Sequence, residues 1–320
     1  KRLRPLMKAV YACRRSTQIV QNINVRAVRL TKDVHIADRD SYIYLHWSRS
    51  ANFGDQLSRL VTGALSGKSV VTTETVPNIT FRPVFSCIGS VLQFAHFGPL
   101  EIWGSGFIYG SGRFVFSPRR VHAVRGELTR KICLNQGVRC PAIYGDPAVL
   151  AFDQFASYPR SQEFPLGVIP HYADAGHEAV AKLKDTPDVL VIDVLRDWRA
   201  VAKDVARCRA IASSSLHGLI LADSMLVPNR WLGISDLVMK DRFKFLDYFS
   251  SIGRAEDPLM IDDFSPGKAI KEAHLRHKAF SRDALLASCP FRENGFEERL
   301  RQMACAEHVQ HERERQESIA

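Results

Sequence analysis

Short apolar runs, each leading into a helix-patterned stretch, recur along this chain, and that alternation constrains its fold more than any other feature. YIYLHW, residues 42–47, is aromatic and β-branched like a strand and is followed by the polar SRSANFGD and a helix pattern from Gln56 to Leu65, closed by Gly67. PVFSCIGSVL and EIWGSGF are further apolar runs. VHAV then leads through Arg125-Gly126 into a helix from Glu127 ending near Gly137. AIYGDPAVL reads as a strand, a loop and a Pro-led apolar turn, and residues 151–165 read as a loose linker. The pattern then restarts. PLGVIPHY, DVLVIDV and AIASSS alternate with the helical HEAVAKLK, DWRAVAKDVARC and a buried helix from about Leu216. Alternation of this kind builds parallel α/β units, here in two sets. Ser265-Pro266 supplies an N-cap and an N1 proline for a helix running to about Ser288, and the tail EERLRQMACAEHVQHERER reads as a charged helix capping a surface. The expected organisation is a basic arm at 1–40, α/β domains at 41–160 and 161–265, and C-terminal helices at 266–320.

Composition narrows the class. With 46% hydrophobic and 24% charged residues, the 320-residue chain has the balance of a soluble globular protein. No window approaches the roughly 18 uninterrupted apolar residues of a membrane span, and the start lacks a secretory-leader pattern. The seven cysteines are scattered without a CxxC pair, which argues against a zinc site and a disulfide framework and for a reducing cytosol. The net charge is +10, and residues 1–32 carry nine Lys or Arg and no acid. Such an arm is either a solvated tail or a contact for nucleic acid or an anionic membrane leaflet.

Ligands of parallel α/β folds gather where strands end and helices begin, so the strand-to-helix turns hold the candidate residues. In ASSSLHGLILADSM, Ser213, Ser214, Ser215 and Leu216 form such a turn, with His217 in the first helical turn. Unpaired N–H groups and the positive helix end favour an anion there, and a histidine moves protons near neutral pH. The simpler alternative is a serine cap over a packed histidine. Arg125 suits bidentate capture of phosphate or carboxylate, or is a surface arginine at a helix start. In Asn52-Phe53-Gly54-Asp55, Gly54 permits backbone approach to a ligand, while Asn52 and Asp55 also fit a helix start. His171 in IPHY and Lys244 in KFLDY are further candidates, with a strand-end histidine and a surface lysine as the alternatives. WGSGF is not GxGxxG and lacks the acidic ribose partner, so a dinucleotide site is not expected. No metal-ligand cluster is visible.

Together, NFGDQLSRLVTGALSGK, WGSGF, VHAVRGELTRKICLNQGV, YGDPAVL, VIPHY, SSSLHGLILADSMLVPNRW and KFLDYFSSIGR resemble successive blocks of the polysaccharide pyruvyl transferase family, nearest to its exopolysaccharide ketal-pyruvate transferases. The resemblance runs from about Trp47 to Gly253; the arm and the C-terminal helices inherit nothing from it. It implies two Rossmann-like domains facing a cleft, similar to glycosyltransferase B. It also implies phosphoenolpyruvate as donor substrate, a sugar acceptor on a lipid-linked oligosaccharide or polysaccharide, and a cyclic pyruvate ketal as product; the reaction chemistry itself demands no cofactor or metal. Arg125 and His217 match the family's donor-binding and catalytic positions, and Asn52, Gly54 and Asp55 match its first loop. The serine turn, Leu216, Lys244 and His171 then count as donor-binding.

The chemistry asks for the same residue types. Phosphoenolpyruvate is a compact polyanion that needs cations and N–H donors. Protonating its methylene carbon needs an acid beside that cradle. A nucleotide-sugar glycosyltransferase of the same architecture and a non-catalytic glycan-binding protein are the competing functions. The expected location is the cytosol, peripheral to the inner membrane face if the arm binds anionic lipid, with no nucleic-acid partner.

Overall fold

The computed structural model describes residues 42–48, 52–72, 82–96, 99–156, 158–275 and 281–305. The basic arm, expected at 1–40, and the tail beyond Cys305 lie outside the described residues. The first half runs β1 (Tyr42–Leu45), α1 (Phe53–Ser66), β2 (Ser69–Thr72), β3 (Val84–Ser86), β4 (Leu100–Trp103), β5 (Arg120–Ala123) and α2 (Glu127–Asn135). A short helix, α3 (Val149–Phe152), precedes β6 (Phe164–Ile169), α4 (Glu178–Lys184), β7 (Val189–Val191), α5 (Trp198–Ala206), β8 (Cys208–Ser213), α6 (Leu216–Ser224) and β9 (Asn229–Gly233). Then come α7 (Asp236–Met239), α8 (Phe243–Ile252), β10 (Leu259–Met260), α9 (Pro266–Glu272), α10 (Arg282–Ala287) and α11 (Phe296–Cys305).

The protein is α/β, with two parallel five-stranded sheets ordered β2-β1-β3-β4-β5 and β10-β9-β8-β6-β7. Read from β7, the second order repeats the first. In each sheet the winding reverses once, between β1 and β3 and between β6 and β8, and such a reversal opens a crevice at the carboxyl ends of the strands. The largest apolar cluster joins Leu45 and Trp103 of the first sheet to Ile169, Ile211 and Trp231 of the second.

Local chemistry explains the helices that border these crevices. Asn52 caps α1 by accepting the Asp55 N–H at 3.0 Å, and Gly67 ends it in the left-handed conformation, φ 63°. Phe53, Leu57, Val61 and Leu65 form its buried stripe. Helix α6 is buried on every side, which is why LHGLILADS has no polar face.

Four expectations need correction. Gly54 is the second residue of α1 rather than part of a turn. Tyr144 joins Val124 in an isolated bridge, and AIYGDPAVL forms no full strand. Residues 151–155, expected to begin the linker, belong to α3 and a 3-10 turn because Phe152 and Phe155 bury their rings against Trp198. The helix expected from Pro266 to Ser288 stops at Glu272, where His274 leaves to exchange backbone hydrogen bonds with Asn229.

The C-terminal helices return to the first sheet. Trp103 donates its indole N–H to Leu285 O at 2.9 Å, and Phe291 packs edge-on against Trp103 and Phe85. Arg299 donates to Ala64 O and Leu65 O, closing the carbonyl end of α1.

A second long-range tie runs from α8 to the turn between β5 and α2. Asp247 accepts hydrogen bonds from Arg125 Nε at 2.9 Å, Thr129 N at 2.7 Å and Thr129 Oγ1 at 2.7 Å. A Cβ on Gly126 would lie 1.7 Å from Asp247 O, so only glycine lets these backbones meet. Arg125 and Asp247 have fully buried side chains. Removing one member of a buried ion pair costs about 3–5 kcal/mol because the other charge is stranded. Asp247→Ala is therefore expected to lower Tm by roughly ten degrees. The double variant Arg125→Met/Asp247→Leu should recover part of that loss in the same calorimetric scan.

Candidate active site

Both crevices are furnished with polar groups, and the two sets lie together. From the first come the α1 N-terminus with Asn52 and Asp55, the Gly89-Ser90 turn after β3, and Asp146. From the second come His171 after β6, the Ser213–Ser215 turn after β8, and His217 in α6. Phe53 N donates to Val194 O at 2.8 Å, which fastens the start of α1 to the segment after β7. A Cβ on Gly54 would fall 2.0 Å from His217 Nδ1, so the imidazole occupies the space this glycine leaves. Phe53 presents its ring to the same imidazole at 6.3 Å, edge to face.

His217 is held among buried groups. Its Nε2 lies 3.9 Å from Asp146 Oδ2, and neither atom has a hydrogen-bond partner. Asp146 is fully buried, with Oδ1 accepting the Ala148 N–H at 3.0 Å. Burial raises its pKa, and the nearby His217 is the largest influence pulling it back down.

The serine turn divides its work. Ser213 Oγ donates within reach of Ile169 O and Ser215 O and accepts the Ser215 N–H at 3.0 Å. Ser214 Oγ accepts the His171 N–H at 2.8 Å and donates to Asp174 Oδ2 at 3.0 Å. Both hydroxyls therefore shape the loop. Ser215 is the N-cap of α6 but makes no side-chain capping bond. The N–H groups of Leu216, His217 and Gly218 precede the first backbone bond of the helix, Leu219 N to Ser215 O. That end of α6 keeps anion-binding capacity.

His171 caps a short 3-10 turn through Nδ1, which accepts the Ala173 N–H at 3.2 Å. Burial, followed by the charges of Lys244 and His217, lowers its pKa to about 3. It is neutral at physiological pH. Lys244, in the first turn of α8, is half-buried; desolvation, then Arg125, lowers its pKa to about 8, opposed by Asp55 and Asp174. It remains a cation at neutral pH, close to losing its proton.

Arg125 sits deeper than an exposed anion receptor would. Besides Asp247, its guanidinium donates to Ser90 Oγ and to Phe107 O at 2.6 Å. The WGSGF glycines make room: a Cβ on Gly106 would meet the guanidinium at 2.6 Å, and one on Gly104 would meet Pro147 at 2.2 Å. Arg125 thus borders the site while its Nε, Nη1 and Nη2 each hold a protein partner.

Sequence reasoning singled out neither Asp146 nor Asp247. Each is an acid inside an apolar run, GDPAVL and FLDYF, and that contradiction was the available signal. Among the described residues, no group of three His, Cys, Asp or Glu side chains is arranged to hold a metal ion, and no helix is long and apolar enough to cross a membrane.

Comparison with known proteins covers most of this site. The chain is 30% identical over 223 residues to an uncharacterised protein of Acanthamoeba polyphaga mimivirus, a match spanning 67% of this chain and 76% of the relative. It is 27% identical over 215 residues to the succinoglycan biosynthesis protein ExoV of Rhizobium meliloti (strain 1021), spanning 65% of this chain and 64% of that relative. Residues 111–236, which include Arg125, Asp146, His171, the serine turn and His217, match the family described as polysaccharide pyruvyl transferase. By these matches the chain belongs to the polysaccharide pyruvyl transferase family.

Proposed function

We propose that the protein transfers pyruvate from phosphoenolpyruvate to a sugar of a polysaccharide or lipid-linked oligosaccharide, forming a cyclic pyruvate ketal. The observation that carries this reading is the meeting of a histidine, a cationic lysine and an open helix N-terminus where both sheets reverse their winding. In this reading the two α/β units, 41–160 and 161–265, face one cleft in a glycosyltransferase-B-like arrangement. The donor's phosphate or carboxylate rests on the α6 N–H groups and Ser215, with Lys244 as the facing cation. Asn52, Gly54 and Asp55 line the opposite wall, and neutral His171 offers a hydrogen bond without charge. Arg125 adds a fixed positive charge from behind.

The steps balance. His217 gives a proton to the methylene carbon, making the methyl group and leaving an oxocarbenium-like centre at the neighbouring carbon. A sugar hydroxyl adds there and returns its proton to the His217 imidazole. The C–O bond to phosphate then breaks, the second hydroxyl closes the ring, and its proton leaves with inorganic phosphate. The donor is a substrate, and the reading calls for no cofactor. The work takes place in the cytosol, and the basic arm brings the protein to anionic lipid where the acceptor is lipid-linked.

Phosphate release from phosphoenolpyruvate, with a gain of pyruvate mass on a sugar acceptor, tests the function directly. Acceptor-dependent turnover of a nucleotide-sugar instead would overturn it. His217→Gln should cut kcat about 10²–10⁴-fold in a folded protein, the usual worth of a general acid. Gly54→Ala should also cut kcat, at least about tenfold, because its methyl displaces the imidazole. Helix α1 should be retained, since alanine favours it, but the circular-dichroism melt should fall by a few degrees because the methyl overpacks a buried contact. Lys244 is charged below its pKa of about 8 and neutral above it. The KM for phosphoenolpyruvate should accordingly rise as pH passes 8, and Lys244→Met should show a raised KM below pH 8 that converges with the parent's above it.

A further inference from the structure

The mechanism leaves one buried acid without a task. Asp146 holds no cation at bonding distance, its Oδ2 has no hydrogen-bond partner, and the atom it faces, His217 Nε2, is equally without one. Two such atoms 3.9 Å apart, one a carboxylate oxygen and one a ring nitrogen, are a small movement from a hydrogen bond. Leaving both unmade inside a protein is costly, and the arrangement persists where it serves a site.

The surroundings fix the pair in this relation. Ala148 N–H anchors the other carboxylate oxygen, and Pro147 is clamped against Gly104. The imidazole is confined by Gly54 on one face and by the Phe53 ring at its edge. The Gly89 N–H is a further donor close to the Asp146 carboxylate. The sequence separates them by 71 positions, so their meeting is a product of the fold.

We propose that Asp146 is the positioning residue of His217: its carboxylate takes the Nε2–H and holds the ring oriented and protonated until the donor arrives. This rests on the reading of His217 as the acid. One proton leaves the imidazolium for the methylene carbon of the donor, and the Nε2 proton stays with the ring, shared toward Asp146. A hydrogen-bonded carboxylate of this kind sets both orientation and charge, as it does for other histidines that work on protons. The other charged or titratable groups facing the pair are Arg125 and Cys87 beside Asp146, His171 beside His217, Lys244 beyond His171, and Asp55 one residue from Gly54.

Two measurements test it. In Asp146→Asn, which keeps the shape and removes the charge, kcat should fall while the KM for phosphoenolpyruvate stays within about twofold, and the alkaline limb of the kcat/KM profile should move to lower pH by about one unit. The sign follows because the acid form loses its counter-charge and gives up its proton earlier as pH rises. An unmoved pH profile in a folded Asp146→Asn protein would overturn the proposal. The second measurement needs no turnover. In His217→Gln, the carbon-13 titration of the Asp146 carboxyl should move to higher pH, because the cation that favours its ionised form is gone. An unchanged Asp146 titration would overturn the pairing, and this result decides the matter if Asp146→Asn does not fold. A parent protein that releases no phosphate from phosphoenolpyruvate would sink the function while the carboxyl titration still reads the pair.

Discussion

The fully buried Asp247 carboxylate holds the site's geometry through its bonds to Arg125 and Thr129. Those bonds join α8 to the β5–α2 turn across 118 to 122 residues of sequence. Lys244 lies one helical turn before Asp247, so its position depends on the same contact. Tyr248, the next residue, donates to Asp223 Oδ2 at 2.9 Å in α6, the helix whose start carries His217. One short helix therefore grips both the first sheet's turn and the second sheet's helix. The cost of burying these charges is offset only because nearly every donor and acceptor among them is used.

The glycines complete that constraint. Gly54, Gly106 and Gly126 face the His217 ring, the Arg125 guanidinium and the Asp247 backbone respectively. None of the three needs an unusual backbone angle, since none has a positive φ. Their purpose is proximity rather than flexibility. In each case a methyl group would push apart two segments that the site requires in contact. The function-bearing side chains are thus placed by what is missing from their neighbours as much as by what is present.

How much of this the residues disclosed depends on the range of the interaction. Strands β6 and β8 and helices α1, α5 and α6 follow local rules, an apolar run or a capped amphipathic stretch, and were legible. The helix expected through Ser288 failed because local propensity favoured it, while the Asn229–His274 backbone exchange drew the chain away. Residues 151–155 looked like the start of a linker because Ser157, Pro159 and Ser161 follow them, yet Phe152 and Phe155 had a distant Trp198 to cover. Within the site, His217 and the serine turn stood out because polar groups at a helix start are a local signal. Asp146 did not, since its partner is far away in sequence. Arg125 was recognised as a notable residue, but its burial and its bonds to Ser90, Phe107 and Asp247 are tertiary facts that no local pattern contains.

The return of the C-terminal segment to the first sheet also bears on biosynthesis. The Trp103 indole has its carbonyl partner at Leu285, and the last carbonyls of α1 have theirs at Arg299. At a translation rate of roughly 5–20 residues per second, the ribosome needs on the order of ten to forty seconds to travel from Trp103 to Arg299. Throughout that interval the nascent first sheet carries an apolar face, around Phe85 and Trp103, that its own segment does not cover. The first sheet is made early and covered late, so its exposure to chaperones and to aggregation is set by the segment at 285–299.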